Sequence, residues 1–152
     1  MRIEEVPINH PDLLKLVRKL DYFFEEQWGK DIAEGYQSFH QLSKMAYAVV
    51  CYNGKQAIGC GCYKIIDQQT VEIKRMFVEK QYRRQKVASS LLNALERHAQ
   101  QHHFDVAVLE TGKDMQDNIL FYQKCGYHLI DNFGDFVGDL ICVCMEKSLN
   151  SI

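Results

Sequence analysis

Apolar and polar positions along this chain follow two periods, and the switches between them divide it into elements. From 10 to 28, "HPDLLKLVRKLDYFFEEQW", Leu13, Leu16, Val17, Leu20 and Phe24 recur at helical spacing. Pro11 suits a first helical position, Asp12 complements the helix dipole, and Gly29 is a stop. "RIEEV" ahead of it reads as a short strand, and "EGYQSFHQLSK", 34–44, as a second, shorter helix. The period then shortens. "MAYAVVCYNGKQAIGCGCYKII" reads as two strands joined at Asn53-Gly54, because both residues of that pair accept positive φ. "TVEIKRMFVE", 70–79, is a further strand. Strict alternation puts Val71, Ile73 and Phe77 on one face, with Glu72, Lys74, Met76 and Val78 on the other.

Helical period returns from Lys86 to Gln101, with Val87, Leu91, Leu92, Leu95 and Ala99 on one stripe. "FDVAVLE" is a nearly continuous apolar run, as expected of a central strand covered on both faces. "MQDNILFYQKCG" reads as a helix ending at Gly126. "YHLID" and "LICVCMEKSL" are the last strands, joined by "NFGDFVGD". The order β, α, α, β, β, β, α, β, α, β, β predicts an α/β fold of α+β type, one domain over 1–152 built on a mixed sheet.

Composition agrees with a single soluble domain: 152 residues, 47% apolar and 25% charged. A net charge of −2 argues against bulk electrostatic binding to nucleic acid or a membrane. No apolar run approaches the roughly 20 residues that span a bilayer. The first residues lack the layout of a signal peptide, so a cytoplasmic setting is expected. That setting keeps the six cysteines mostly reduced. The pairs "CGC" and "CVC" lie inside apolar runs rather than on zinc-binding turns, and read as small buried residues. His98 and His102, at i,i+4, read as surface residues, and no metal is expected.

One segment stands apart. In "QYRRQKVASSLL", 81–92, Arg83, Arg84 and Lys86 precede a helix directly. Helix N-termini carry unpaired N–H groups and attract anions, and fixed cations strengthen such sites. Taken alone, the run suits a phosphate-bearing ligand, a nucleic acid or a solvated helix start. The lack of interleaved aromatics counts against nucleic acid. A phosphate-cradling turn would normally carry glycine, which is absent here.

Placed in context, "EIKRMFVEKQYRRQKVASSLL" followed by "LETGKDMQDNILFYQKCGYHLID" resembles the GNAT superfamily of N-acetyltransferases, bacterial type. The first block is similar to the family's acetyl-CoA signature, Arg/Gln-x-x-Gly-x-Gly/Ala, at Arg83, Arg84, Gln85, Lys86, Val87 and Ala88. The second is similar to its Asn…Leu-Tyr-x-x-x-Gly-Phe/Tyr pattern, at Asn118, Phe121, Tyr122, Gly126 and Tyr127. The closing "FGDFVGDLICVCMEKSL" is similar to the tail of many members, so the resemblance runs over essentially the whole chain. It implies a sheet of about seven strands flanked by about four helices, within the layered α/β architectures. It also implies acetyl-CoA as co-substrate and transfer to a primary amine of a small molecule or peptide. The implied CoA contacts are Met76, Phe77, Val78, Arg83, Arg84, Gln85, Lys86, Val87, Ala88, Ser89, Asn118 and Tyr122. Lys86 stands where the family has its first glycine, and Arg84 replaces another. Lysine fits such a turn if its φ is negative, as in a first helical turn, and its ammonium then reaches a phosphate. Otherwise the turn is altered and CoA affinity falls.

The resemblance also implies catalytic roles. A carboxylate takes a proton from the amine, and Glu72 and Glu110 are the candidates. Their structural alternatives are an ion pair of Glu72 with Lys74 and a cap by Glu110 on the turn at Thr111-Gly112. Tyr122 is the acid for the departing thiolate, or else packs in the core. Asn118 shares its helical face at i−4. Backbone N–H groups at a bulge around Met76 and Phe77 stabilise the oxyanion. Tyr22, Phe23, Trp28, Phe133, Asp135, Phe136 and Asp139 are expected around the acceptor, where acids beside aromatics suit a cationic amine. The alternative function is a non-catalytic CoA-binding or partner-binding module of the same fold. The resemblance admits a homodimer.

Overall fold

A computed structural model describes residues 1–37 and 41–150. The first strand, β1 (Arg2–Glu5), leads into α1 (Pro11–Trp28). α1 starts where its sequence signals put it: Pro11 takes the first turn, and the His10 side chain accepts the Asp12 N–H at 3.1 Å. Leu13, Leu16, Val17 and Leu20 form its buried stripe. Gly29, with φ of 87°, ends it. The Gly29 carbonyl also accepts the Ala33 N–H, so a second helix begins at once. That restart makes α2 Lys30–Gln37, earlier than the expected 34–44. Leu42–Lys44 form only a single 3-10 turn, and positions 38–40 of the expected helix lie outside the described residues.

The hairpin is as expected: β2 (Tyr47–Asn53) and β3 (Gln56–Ile65) turn at Asn53-Gly54, where Gly54 has φ of 62°. β4 (Thr70–Val78) is followed by α3 (Val87–Gln101), β5 (Val106–Gly112), α4 (Gln116–Lys124), β6 (His128–Ile130) and β7 (Cys142–Ser148). One seven-stranded sheet results, in the order β1-β2-β3-β4-β5-β7-β6. The last two strands are shorter than expected, and Leu140, ahead of β7, stays exposed. Leu91, Leu95, Ile73, Leu109, Tyr122 and Met145 belong to the core on the α3 and α4 side. Leu13, Leu16, Val17, Cys60 and Cys62 belong to the core on the α1 side. The cysteine pairs are buried, as read. Burial pushes the Cys62 thiol up to about 12, and Cys142 and Cys144 pack with Phe136. His98 is half-buried rather than superficial: its Nδ1 meets the Tyr63 hydroxyl at 2.7 Å, and its ring stacks on Tyr47 and His102.

Two irregularities at β4 shape the site. Against β3, Cys60 faces Phe77 and Cys62 faces Lys74, so β4 carries one extra residue over that interval. Arg75 absorbs it with a left-handed φ of 57°. Gly61 lies opposite, where an added Cβ would meet the Met76 Sδ at 2.6 Å. This bulge overturns the strict alternation expected for the strand. Met76 and Val78 join Val71 and Ile73 on the α3 side, while Phe77 crosses to the α1 side. The second irregularity is a parting of strands. β4 pairs in parallel with β5 only from Thr70 to Glu72, opposite Val106 to Val108. Both strands continue beyond this ladder, to Val78 and Gly112, with a gap between them.

Candidate active site

The gap holds a cavity of about 120 Å³ lined by residues from both faces of the sheet. Leu109 points into the α3-side core, so its neighbour Glu110 points to the α1 side. Tyr122, on α4, lies in the α3-side core. Glu110 and Tyr122 line the same cavity from opposite faces.

The two candidate carboxylates have different surroundings. Glu72 is fully buried and held by cations: the Lys74 Nζ lies 2.9 Å from its Oε2, and the Lys64 Nζ 3.7 Å from its Oε1. The ion pair expected as its structural alternative is therefore present, and Glu72 is not among the residues lining the cavity. Glu110 lines it and is only partly exposed. Burial pushes its carboxyl up to about 7, with Lys74 opposing and Glu72 and Asp139 reinforcing the shift. A carboxyl in that range exchanges protons readily at neutral pH.

Tyr122 is buried and meets Phe121 and Tyr127 edge-on. Burial, and next the nearby Glu110, raise its phenol well above 10, so it stays protonated at neutral pH. Asn118, one turn earlier, lines the cavity and donates to the Thr111 Oγ1 at 3.4 Å, tying α4 to β5. Gly112 allows the close approach of Met115 and Trp28 at this end of the gap.

The basic turn takes the second of the two alternatives left open for the φ of Lys86. Lys86 does not take a negative φ: it is left-handed at 65°, and Arg84 is left-handed at 63°. The turn therefore keeps a glycine-like backbone without glycine. Lys86 is the N-cap of α3 and leaves the N–H groups of the first turn, Val87 to Ser89, outside the helix's own ladder. The Ser89 hydroxyl donates to the Lys86 carbonyl at 3.1 Å. The Arg83 Nε donates to the Val78 carbonyl at 3.0 Å, fastening the turn to the end of β4. The Gln85 side-chain amide donates to the Gln81 carbonyl. Arg84 and Lys86 project into solvent.

Of the aromatics and acids expected around the acceptor, Trp28 lines the cavity. Phe136 and Asp139 stand behind it. The Phe136 ring lies under the Lys74 Nζ at 5.4 Å, and Asp139 acts electrostatically on Glu110. Tyr22 and Asp135 are exposed, and Phe133 packs on Phe136. Phe23 is half-buried beside Phe24, which lines the cavity in its place. Sequence reasoning missed two buried charges. Arg75 lines the cavity and reaches Asp21. Glu96, on α3, accepts from the Tyr127 hydroxyl and the Lys147 Nζ, each at 2.8 Å, and joins α3 to β7 and the end of α4. The lone arginine between an apolar strand and its bulge was the only available signal for the first.

Comparison with known proteins gives one consistent picture. The model of the acetyltransferase (GNAT) family matches residues 13–127. A Xenopus tropicalis protein named "Probable N-acetyltransferase 14" is 34% identical over 91 residues, covering 59% of this chain and 44% of that relative. The chain thus aligns with less than half of that protein's length. Among solved structures, a Klebsiella pneumoniae protein assigned as an acyl-CoA N-acyltransferase superposes with a TM-score of 0.80 at 25% identity, over 97% of each chain. The PaiA N-acetyltransferase of Thermoplasma acidophilum, in complex with coenzyme A, gives 0.74 at 18% identity, over 97% of this chain and 99% of its own.

Proposed function

The chain belongs to the acetyltransferase (GNAT) family, and from that premise we propose that it transfers the acetyl group of acetyl-CoA directly to a primary amine. The observation that carries this reading is the gap between β4 and β5, lined by Glu110 from one face and Tyr122 from the other. Two substrates approaching from opposite faces of the sheet would meet between a base and an acid.

The residues present fit a CoA thioester. The first turn of α3 offers N–H groups to a pyrophosphate, and the left-handed Arg84 and Lys86 give the turn its open backbone. Arg84, Lys86 and Arg83 surround it with positive charge, alongside Gln85, Val87, Ala88 and Ser89. Beyond Glu72, the β5-facing backbone of β4 has no ladder partner, which leaves Met76, Phe77 and Val78 available to an extended ligand arm. Asn118 lies along the same path.

In the reaction, Glu110 accepts a proton from the bound ammonium and so frees the amine that attacks. An alkyl amine, with pKa near ~10.4, would otherwise stay protonated at neutral pH. The amine nitrogen bonds to the thioester carbon, and backbone N–H groups at the bulge, around Met76 and Phe77, stabilise the oxyanion. The carbon–sulfur bond then breaks, and Tyr122 gives its proton to the thiolate. The nitrogen sheds its second proton as the amide forms, which restores the Tyr122 phenol, and Glu110 releases the first proton to solvent. Glu72, held by Lys74 and Lys64, acts through the field it places on Glu110.

Two measurements test this reading. Saturating acetyl-CoA should raise Tm, and thiol release should appear with at least one member of an amine panel. Tyr122→Phe should lower kcat by about 100-fold with little change in the Kd for acetyl-CoA. Binding without thiol release across the panel would leave only a CoA-binding module, and an equal loss of both constants would reduce Tyr122 to packing.

A further inference from the structure

Arg75 is a buried cation that the acetyl-transfer chemistry leaves unused. Its side chain is 2% exposed, and it borders the cavity on the α1 side. The bulge aims it there, since a left-handed φ within a strand redirects the side chain. The Nη2 group donates to the Val17 carbonyl at 3.3 Å and to the Asp21 carboxylate. Nε and Nη1 are buried and have no hydrogen-bond partner. A buried charged group with unmet donors is costly, and such groups persist where a ligand completes them. Asp21 neutralises Arg75 only from the surface, because its side chain is 55% exposed and therefore screened by water. Lys74 also lines the cavity but is paired with Glu72 at 2.9 Å, and the rest of the α1-side wall is apolar, built by Leu20, Phe24, Trp28 and Ile32. Its carboxyl is Glu110, which burial pushes up to about 7.

We propose that Arg75 receives a carboxylate of the acceptor, so that the amine acetylated here belongs to an amino-carboxylate with an apolar body. This rests on the acetyl-transfer reading and adds its substrate class. The amine would sit at Glu110, the apolar body against Phe24 and Trp28, and the carboxylate on the guanidinium, where it completes Nε and Nη1. Planar guanidinium groups are the side chains best matched to a carboxylate.

The test is calorimetric binding to the full chain saturated with CoA. Phenylalanine and leucine are compared with phenethylamine and 3-methylbutylamine, which differ by loss of the carboxylate. The amino acids should bind roughly 10- to 100-fold tighter. Arg75→Gln should erase the difference, and Asp21→Asn, which removes the neutralising carboxylate, should widen it. Asp21 is exposed, so this second variant keeps the test decisive if Arg75→Gln does not fold. Equal or tighter binding of the decarboxylated amines overturns the proposal, as does a preference unaltered by Asp21→Asn. Thiol release separates the two levels. Release with amines regardless of a carboxylate sinks the role of Arg75 and leaves acetyl transfer standing. Carboxylate-dependent binding with no release from acetyl-CoA does the reverse.

Discussion

Two stretches beside the gap force non-glycine residues into left-handed backbone, and they do so in opposite surroundings. In β4, Arg75 takes a φ of 57° and is buried; in the turn before α3, Arg84 and Lys86 take 63° and 65° and are exposed. Such a conformation costs about 1–2 kcal/mol for each L-residue. At the bulge the strain serves a side chain, because it delivers a cation to the α1 side of the gap and turns Phe77 away from Ile73. At the turn the strain serves the backbone, because it leaves the α3 N-terminus open, and the side chains contribute charge that solvent screens. Substitutions in the gap should therefore change chemistry and pH dependence. Those at the turn should change stability and cofactor affinity by small amounts.

The largest effect should come from Glu110→Gln, on the gap side. We expect kcat to fall by roughly 100- to 10,000-fold, with the KM for acetyl-CoA nearly unchanged. The base must be ionised to act, and its carboxyl titrates at about 7. For the wild-type protein, log kcat/KM should rise with unit slope as pH approaches 7 and then level. The variant should lose that limb. If a pH profile of Glu110→Gln keeps it, the base lies elsewhere, and Glu72 becomes the candidate.

The same substitution measures what the gap costs the fold. Glu110 has a folded value of about 7 against an ordinary 4.5, so its neutral form is the one the fold favours. The associated stability is fully present below 4.5 and is lost as pH rises through 7. A neutral glutamine suffers no such loss. Glu110→Gln should therefore be more stable than wild type at pH 8, by ~2–3 kcal/mol, and comparable at pH 4. Urea melts at the two pH values check this. A variant less stable than wild type at pH 8 would mean that packing and hydrogen bonds outweigh desolvation at this site.

The same contrast explains what the sequence made legible. Element order, the buried stripes of α1 and α3 and the hairpin at Asn53-Gly54 were readable, as was the grouping of Glu110, Asn118 and Tyr122, which line one cavity, because each rests on local periodicity or a compact motif. The faces of β4 beyond Arg75 were not, since alternation cannot register one extra residue. Nor was the burial of Arg75 or Glu96. A charged residue reads as surface until its partners, Val17 and Asp21 for one, Tyr127 and Lys147 for the other, arrive from distant parts of the chain. The sign of φ at Lys86 stayed open in the sequence for a related reason. Lysine disfavours left-handed backbone, but here its local preference yields to the tertiary fit of α3 on β3, where Gly59 brings Val87 and Leu91 within 3.2 Å of an added Cβ.

The smallest effect should come from the turn, and it has a sign that the bulge cannot share. Replacing Arg84 and Lys86 together by glycine relieves two left-handed residues while removing two cations. Relief of strain, about 1 kcal/mol per site, is partly offset by the greater freedom of glycine in the unfolded chain. Tm should therefore rise by a few degrees at most. The KM for acetyl-CoA should increase a few-fold at low ionic strength and match wild type in high salt, because only screened charge was lost. The alanine pair separates the two contributions: it loses the same charge but keeps the strain, so its KM should follow the glycine variant while its Tm does not rise. Should the alanine and glycine pairs melt alike, the left-handed backbone at Arg84 and Lys86 carries no strain, and the difference between turn and bulge reduces to burial.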